Sequence, residues 1–156
     1  MHSVLFVCTA NICRSPMAMG LLQSKINGQE ERWLIRSAGV WALENQTAAA
    51  NTIKLIYDRG IDLSDHRSQL VTKDLIEKFN LILVMERNQK EALKTAFPKQ
   101  SAKIFLLSEM AGETFEIVDP IGGSLADFTA TGLEIENILS EGFPKISQLS
   151  ANKNLK

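Results

Sequence analysis

The 156-residue sequence has little net charge, few cysteines and no long apolar run. Its 17 basic and 18 acidic residues give a formal net charge of −1, so no basic field draws the chain to nucleic acid or to an anionic membrane. No segment has the length and apolarity of a membrane span, and no secretory leader is recognisable. We therefore expect a cytoplasmic protein with no nucleic-acid partner and no membrane insertion.

The shortage of cysteine and histidine limits metal and redox chemistry. The two cysteines, Cys8 and Cys13, are so close in sequence that a disulfide between them would close a loop too small to staple a fold. We interpret them as reactive thiols in a reducing compartment. The two histidines are far apart, and no Cys/His cluster has the spacing of a metal site. The sequence therefore predicts neither a metal nor a cofactor.

The chain also lacks repeats and low-complexity linkers, and its 45% hydrophobic content suits one domain. Short apolar segments at 4–7, 33–37, 81–85 and 104–107 alternate with segments of helical periodicity. This alternation predicts an α/β fold of parallel βαβ units with right-handed crossovers. We expect the domain to cover residues 1–150, followed by a frayed tail that begins after Leu149 and includes 151–156.

Capping and turn residues predict where the helices begin and end. We expect a helix from about Thr47 to Arg59, a helix capped by Thr72, a helix capped by Asn88 with Glu91, and a last helix from Ser124 to about Gly142. A first helix should follow the first strand, with Ser15 at its N-cap and Pro16 at its first position.

The most informative stretch joins the first strand to the first helix. It reads Cys8-Thr9-Ala10-Asn11-Ile12-Cys13-Arg14-Ser15-Pro16. The N–H groups of this loop and the positive end of the helix dipole should converge on an anion. We therefore predict that residues 9–15 bind phosphate, and that the strand and helix around Cys8 distinguish it from an ordinary buried cysteine.

The chemistry predicted for this loop is attack on phosphorus. The helix N-terminus favours the thiolate form of Cys8, and the thiolate is the nucleophilic form of a cysteine. The planar guanidinium of Arg14 can grip two oxygens of a phosphate. Because the leaving oxygen needs a proton, a carboxylic acid must also reach the site. Asp119, in an Asp-Pro pair followed by two glycines, is the candidate, although Asp-Pro is also a common turn opener.

These residues resemble the signature of the low-molecular-weight protein tyrosine phosphatases, which usually read C-x-G-N-x-C-R-S-P. The resemblance covers nearly the whole chain in the right order. It continues at Ser37-Ala38-Gly39, Gly60-Ile61-Asp62-Leu63-Ser64, His66-Arg67, Leu81-Ile82-Leu83-Val84-Met85 and Asp119-Pro120. It implies a single domain with a four-stranded parallel twisted sheet, helices on both faces, and a phosphate-binding loop after the first strand.

The resemblance also implies roles for individual residues. Asp119 would be the general acid and base, and Cys8 would carry a phosphocysteine intermediate. Asn11, Ser15, Ser37 and His66 would support the loop, although Ser15 could instead cap the helix and His66 could be solvated. Cys13 would form a reversible redox pair with Cys8, unless it is only a small packing residue. The partner would be a phosphorylated protein, and the enzyme would be a monomer.

Two departures from the family pattern bear on the substrate. Ala10 replaces the usual loop glycine, so either this position does not need a positive φ or the loop is strained. Ile121 and Gly122 replace two aromatics that usually flank the substrate ring. Trp41, Ile12 and Ile121 are therefore the predicted substrate pocket, although Trp41 could also be a core or surface residue.

Several alternative functions stay open at this stage. The segments around Ser37 and Asp119 also resemble the bacterial branch that dephosphorylates phosphoarginine. That branch carries threonine where this chain has the apolar Ile12, which favours phosphotyrosine. An arsenate reductase would need further cysteines near the end of the third strand, where none occurs. A phosphate-binding module without turnover would be favoured by loss of Cys8, Arg14 or Asp119, and all three are present.

Overall fold

Four parallel strands form one sheet in the computed structural model, which describes residues 1–151. The strands are β1 (His2–Cys8), β2 (Trp33–Gly39), β3 (Leu81–Val84) and β4 (Ile104–Leu106). Their order is β2-β1-β3-β4, so β1 lies between β2 and β3. After β1 the chain forms β2 on one side of β1, and it later forms β3 on the other side. The carboxyl end of β1 is therefore a topological switch point. The predicted fold class is confirmed.

Five helices cover the two faces of the sheet within the described residues. They are α1 (Arg14–Lys25), α2 (Ala50–Tyr57), α3 (Lys73–Lys78), α4 (Arg87–Ala96) and α5 (Leu125–Ser150). Alternate residues of β1 supply the two cores: Val4 and Phe6 pack with residues of α1, α2 and α5, while Leu5 and Val7 pack with residues of α3 and α4. A strand buried on both faces reads as a continuous apolar run, as β1 does.

Some helix starts follow their capping residues, and two do not. Thr72 caps α3 and Ser124 caps α5, as predicted, and Asp127 completes a capping box with Ser124. The predicted Asn88–Glu91 box is wrong, because Glu86 and Gln89 form the box of α4. The predicted N-cap at Ser15 is also wrong.

Helix α1 begins at Arg14, two residues earlier than predicted, because Cys13 is its N-cap. Ser15 is therefore inside the first turn, and its hydroxyl does not cap the helix. It is instead free to face the loop, where it lies close to the sulfur of Cys8.

The lengths of two helices also differ from the prediction. Helix α2 begins at Ala50 rather than Thr47, because Ala49 has a non-helical ψ of 140° and its N–H donates to the carbonyl of Ile12 at 2.8 Å. Helix α5 continues past Gly142, where the missing side chain serves close packing: a Cβ there would lie 2.7 Å from that of Met110. It also passes through Pro144 and reaches Ser150.

The end of α5 is anchored to the start of the chain. Ser150 is fully buried, and Ala151 forms an isolated bridge with His2. The prediction of a tail that begins directly after Leu149 is therefore wrong for these two residues. The rest of the predicted tail, 152–156, lies outside the described residues.

Candidate active site

The loop between β1 and α1 lies at the carboxyl edge of the sheet, against the end of β2. Cys8 is opposite Gly39 in the β1–β2 register, and the N–H of Trp41 donates to the carbonyl of Thr9 at 2.9 Å. A Cβ on Gly39 would lie 2.5 Å from that same carbonyl oxygen. Only glycine therefore lets β2 approach the loop this closely.

The sulfur of Cys8 lies among hydrogen-bond donors. The N–H of Asn11 donates to it at 3.3 Å, and the hydroxyl of Ser15 lies 3.0 Å away. Ser15 also accepts a hydrogen bond from the side-chain amide of Asn11 at 2.8 Å, and its single hydroxyl hydrogen has two acceptors in reach, the sulfur at 3.0 Å and the carbonyl of Ala38 at 3.4 Å. The sulfur of Cys8 thus lies near the N-terminus of α1, within reach of the N–H of Asn11 and the hydroxyl of Ser15.

Asn11 holds the middle of the loop and is fully buried. Its Oδ1 accepts from the N–H of Gln69 at 3.0 Å, which fixes the orientation of the amide because a backbone N–H is only a donor. Its Nδ2 then donates to Ser15 and, at 2.9 Å, to Ser37. Three of the predicted supporting residues therefore meet in one hydrogen-bonded network.

The backbone of Asn11 explains the unusual alanine before it. Asn11 has a φ of 60°, in the left-handed region that asparagine tolerates, and Ala10 is not among the residues with positive φ. The family's glycine position therefore does not require a positive φ in this chain. Of the two explanations left open by the sequence, the unstrained one fits the structure.

The fourth supporting residue, His66, contacts the loop through its ring. Its Nε2 donates to the carbonyl of Asn11 at 2.9 Å, and a carbonyl can only accept, so Nε2 carries the hydrogen. Burial lowers the pKa of His66, and the hydrogen bond to Asn11 opposes that effect less strongly. The solvated alternative for His66 does not fit this half-buried, bonded ring.

Arg14 is a buried cation with three acceptors around it. Its side chain is only 2% exposed. Nη1 donates to the carbonyl of Ile117 at 2.7 Å, and Nη2 donates to Glu86 at 3.3 Å and to Asp119 at 3.5 Å. The structure therefore brings the predicted nucleophile loop, Arg14 and Asp119 together. The other carboxylate oxygen of Asp119 accepts from the N–H of Ile121 at 3.1 Å.

Sequence reasoning missed Glu86 and Gln89, which follow β3. Oε1 of the buried Gln89 accepts from the N–H groups of Met85 and Glu86, both at 2.9 Å. Its Nε2 donates to Glu86 at 3.0 Å and to the hydroxyl of Thr9 at 3.1 Å. The two side chains thus link Arg14 to the start of the loop. Polar residues directly after a buried strand next to β1 were the available signal.

The second cysteine has a different environment from Cys8. Cys13 is buried, and that burial, reinforced by the nearby charges of Asp119 and Cys8, raises the pKa of its thiol to about 12. Arg14 acts in the opposite direction. Cys13 is therefore a protonated thiol near neutral pH. Both cysteines are free.

The three predicted substrate-pocket residues do not line one common cavity. Trp41 is 84% exposed and lines a groove with Thr9. Ile121 is 55% exposed and lines a separate cavity with Asp119. Ile12 is half-buried and packs against the core. That these residues share one substrate slot stays a prediction.

Residues 1–151 contain neither a helix that could span a membrane nor a cluster of possible metal ligands. No helix in this range is long and apolar enough to cross a membrane. The same residues contain no group of three histidine, cysteine, aspartate or glutamate side chains that could hold a metal ion.

Comparison with known proteins assigns this site to the class of cysteine-based protein phosphatases. A family model described as low molecular weight phosphotyrosine protein phosphatase matches residues 3–154. The chain therefore belongs to the low-molecular-weight phosphotyrosine protein phosphatase family. The predicted family and enzyme class, a metal-independent hydrolase of protein phosphate groups, are confirmed.

Individual relatives fall into two groups by substrate. A probable low molecular weight protein-tyrosine-phosphatase, EpsP of Ralstonia nicotianae, is 35% identical over 94% of this chain and 97% of its own length. A protein-arginine-phosphatase of Bacillus subtilis is 34% identical over 88% of this chain and 92% of its own. A solved structure of the YwlE arginine phosphatase, a Cys-to-Ser variant with a phosphorylated active-site serine, superposes with a TM-score of 0.86 at 32% identity and covers 99% of both chains.

Proposed function

We propose that this chain dephosphorylates phosphotyrosine in proteins through a phosphocysteine on Cys8. The observation that carries the proposal is the convergence of functional groups around the sulfur of Cys8. The sulfur of Cys8 lies near the N-terminus of α1, within hydrogen-bond distance of the N–H of Asn11 and the hydroxyl of Ser15, and Asp119 lies beside Arg14. This arrangement provides a nucleophile, an anion site and a proton donor in one place.

In the first step, the thiolate of Cys8 attacks phosphorus and forms an S–P bond while the P–O bond to the tyrosine oxygen breaks. Arg14 and the loop N–H groups stabilise the equatorial oxygens as charge develops on them. Protonated Asp119 gives its proton to the leaving phenolate oxygen. Phosphate binding to Arg14 competes with the 3.5 Å contact to Asp119, which frees that carboxyl group for this role.

In the second step, water attacks the phosphocysteine and the S–P bond breaks. Asp119, now a carboxylate, takes the proton from the water. The hydroxyl of Ser15, 3.0 Å from the sulfur, donates to Cys8 as the thiolate leaves. The products are inorganic phosphate and the starting enzyme, and no further reactant is needed.

The cellular setting follows from the same chemistry. An enzyme that depends on a free thiolate suits the reducing cytoplasm, where we place this protein. Its partner is a phosphorylated protein, and we expect it to act as a monomer because Cys8, Arg14 and Asp119 all come from one chain.

The roles of Cys8 and Asp119 are tested with separate variants. We expect Cys8→Ser to abolish turnover while the loop still binds phosphate, whereas Cys13→Ser, the matched control, keeps measurable turnover. Asp119→Asn should slow a substrate with a poor leaving group by about 100-fold and affect an activated phenol much less. Full activity of Cys8→Ser, or equal losses on both leaving groups, would contradict the mechanism.

Phosphoarginine is the second candidate substrate. It is favoured by the arginine-phosphatase relatives and by Ile121 and Gly122, which replace the ring-flanking aromatics. Ile12 opposes it, because an apolar side chain offers no hydrogen bond to a guanidinium. Turnover of matched phosphotyrosine and phosphoarginine peptides, with a phosphoserine peptide as control, separates the two. Preference for phosphoarginine would overturn the substrate assignment and leave the thiolate mechanism in place.

We also propose that Cys8 and Cys13 form a reversible redox pair. A peroxide oxidises the thiolate of Cys8 to a sulfenic acid, and the Cys13 thiol then displaces water to form a disulfide. The raised pKa of Cys13 keeps it protonated, so this second step needs removal of its proton. We expect wild-type protein inactivated by peroxide to recover with a dithiol, and Cys13→Ser to recover less. Equal recovery would contradict the pairing.

A further inference from the structure

A groove of about 460 Å³ lies beside the phosphate loop, between the segment after β2 and helix α4. One side is lined by Trp41 and Leu70. The other side is lined by Ala92 and Ala96 of α4 and by Phe97, which follows the helix. Its volume is within the range of about 300–1,000 Å³ typical of ligand-binding clefts. No charged residue lines it.

The groove is continuous with the catalytic loop. Thr9, the residue after Cys8, lines it, and the carbonyl of Thr9 accepts from the N–H of Trp41. Gln89 also lines it and donates to the hydroxyl of Thr9. A polypeptide whose phosphorylated residue lies over Cys8 therefore has its neighbouring residues within reach of this groove.

The walls are built to receive an apolar group. Trp41 is 84% exposed and Leu70 is 41% exposed, so both have apolar surface left to bury. On the other side, α4 presents Ala92 and Ala96 one turn apart, both exposed and too small to fill the space. Tryptophan is among the residues that contribute most to protein recognition when a partner covers it.

We infer that this groove is a specificity subsite for a bulky apolar side chain next to the phosphorylated residue of the protein substrate. The inference rests on the proposed phosphatase function and adds a sequence preference to it. Leucine or phenylalanine buries apolar surface against Trp41 and Phe97. Aspartate at the same position loses hydration against uncharged walls and is disfavoured.

The test uses phosphotyrosine peptides that differ at one flanking position. Leucine or aspartate is placed in turn at each of the two positions before and after the phosphotyrosine, and kcat/KM is measured for each peptide. We expect leucine to be preferred over aspartate by about tenfold at one or more of these positions. Equal rates for leucine and aspartate at all four positions would overturn the inference.

A variant that fills the groove identifies the origin of the preference. Ala92→Phe occupies the space from an exposed position of α4, so we expect its leucine preference to fall to about one. Thr95→Phe is the matched control, because Thr95 is exposed on the same helix and does not line the groove. We expect Thr95→Phe to keep the preference. A preference that survives Ala92→Phe, or is lost equally in both variants, would overturn the inference.

Turnover of 4-nitrophenyl phosphate separates failure of this inference from failure of the proposed function. This substrate has no flanking residue, so each protein's peptide rates are divided by its rate on it. Good turnover of 4-nitrophenyl phosphate and of every phosphotyrosine peptide without a leucine preference overturns the subsite alone. Absence of turnover on all of these substrates overturns the proposed function and the subsite with it.

Discussion

The phosphate loop and the rim around it are built in opposite ways. In the loop, Asn11 is fully buried, Arg14 is 2% exposed, and both have several partners. On the rim, Trp41 is 84% exposed, and Ile121 is 55% exposed and contributes only its N–H to Asp119. The phosphate loop is held in place by hydrogen bonds, whereas the rim exposes apolar surface to solvent.

The phosphate loop and the rim therefore serve separate parts of the function. Stabilising the charge of a reacting phosphate requires donors that are in place before the substrate arrives, which a buried network provides. Choosing among protein substrates requires surface that a partner can cover. Changes in the loop should therefore reduce stability and turnover together, whereas changes on the rim should alter substrate preference alone.

The largest combined effect on stability and turnover is expected at Asn11. Asn11→Ala leaves the N–H of Gln69 without its acceptor and removes the donor to Ser15 and Ser37. We expect the free energy of unfolding to fall by about 3 kcal/mol and kcat to fall by about 100-fold. Chemical denaturation and steady-state kinetics measure the two quantities.

Two controls separate the side chain of Asn11 from its backbone. Asn11→Gly removes the strain of a positive φ and should recover about 1 kcal/mol of stability without restoring kcat. Asn45 also has a positive φ, 64°, but it is exposed. Asn45→Ala should therefore cost about 1 kcal/mol and leave kcat unchanged. Equal kcat losses in Asn11→Ala and Asn45→Ala would show that the effect on turnover comes from any asparagine of positive φ and not from the hydrogen bonds of the phosphate loop.

The phosphate loop is also the part of the molecule that the sequence predicted best. The order Cys8, Arg14, Ser15 encodes strand, loop and helix start locally, and the apolar run before Cys8 indicates the central strand. Glu86 and Gln89 were missed because their contacts with Arg14 and Thr9 join segments about 70 to 80 positions apart, which a local pattern does not specify. The N-cap of α1 was misassigned because serine is a good N-cap by type, and its actual partner is the sulfur of Cys8.

The rim was harder to predict for a physical reason. An exposed apolar side chain such as Trp41 or Ile121 has no required partner within the chain, so its sequence context does not determine its position. Which residues line a common cavity depends on how the loops after β2 and before α5 lie relative to α4. These arrangements depend on packing across the whole molecule.

A medium effect is expected from a substitution on the rim. Ile121→Tyr adds an aromatic ring after Pro120, where the family usually has one, and Ile121 is exposed enough to accept it. We expect KM for a phosphotyrosine peptide to fall about threefold, with little change in kcat or in the free energy of unfolding. Val118→Tyr, at a position 76% exposed in the same segment, is the control. A matching KM decrease in Val118→Tyr would show that any added ring suffices.

The smallest effect is the contribution of His66 to the pH dependence of stability. Burial lowers the pKa of His66 below its ordinary value of 6.5, so the unfolded chain binds the proton more readily than the folded one. The contribution of His66 to the stability of the wild type should therefore be largest above pH 6.5 and decrease as the pH falls through 6.5 toward the lower pKa of the folded state. His66→Gln keeps an N–H donor for the carbonyl of Asn11 and removes the titration.

The difference between the two proteins isolates His66. The pKa of His2 is also lowered by burial, but both proteins contain His2, so its contribution cancels in the difference. We expect the free energy of unfolding of the wild type, measured by urea denaturation, to fall relative to that of His66→Gln between about pH 7.5 and pH 5. Parallel curves would show that His66 titrates alike in both states and that the loop does not bury it.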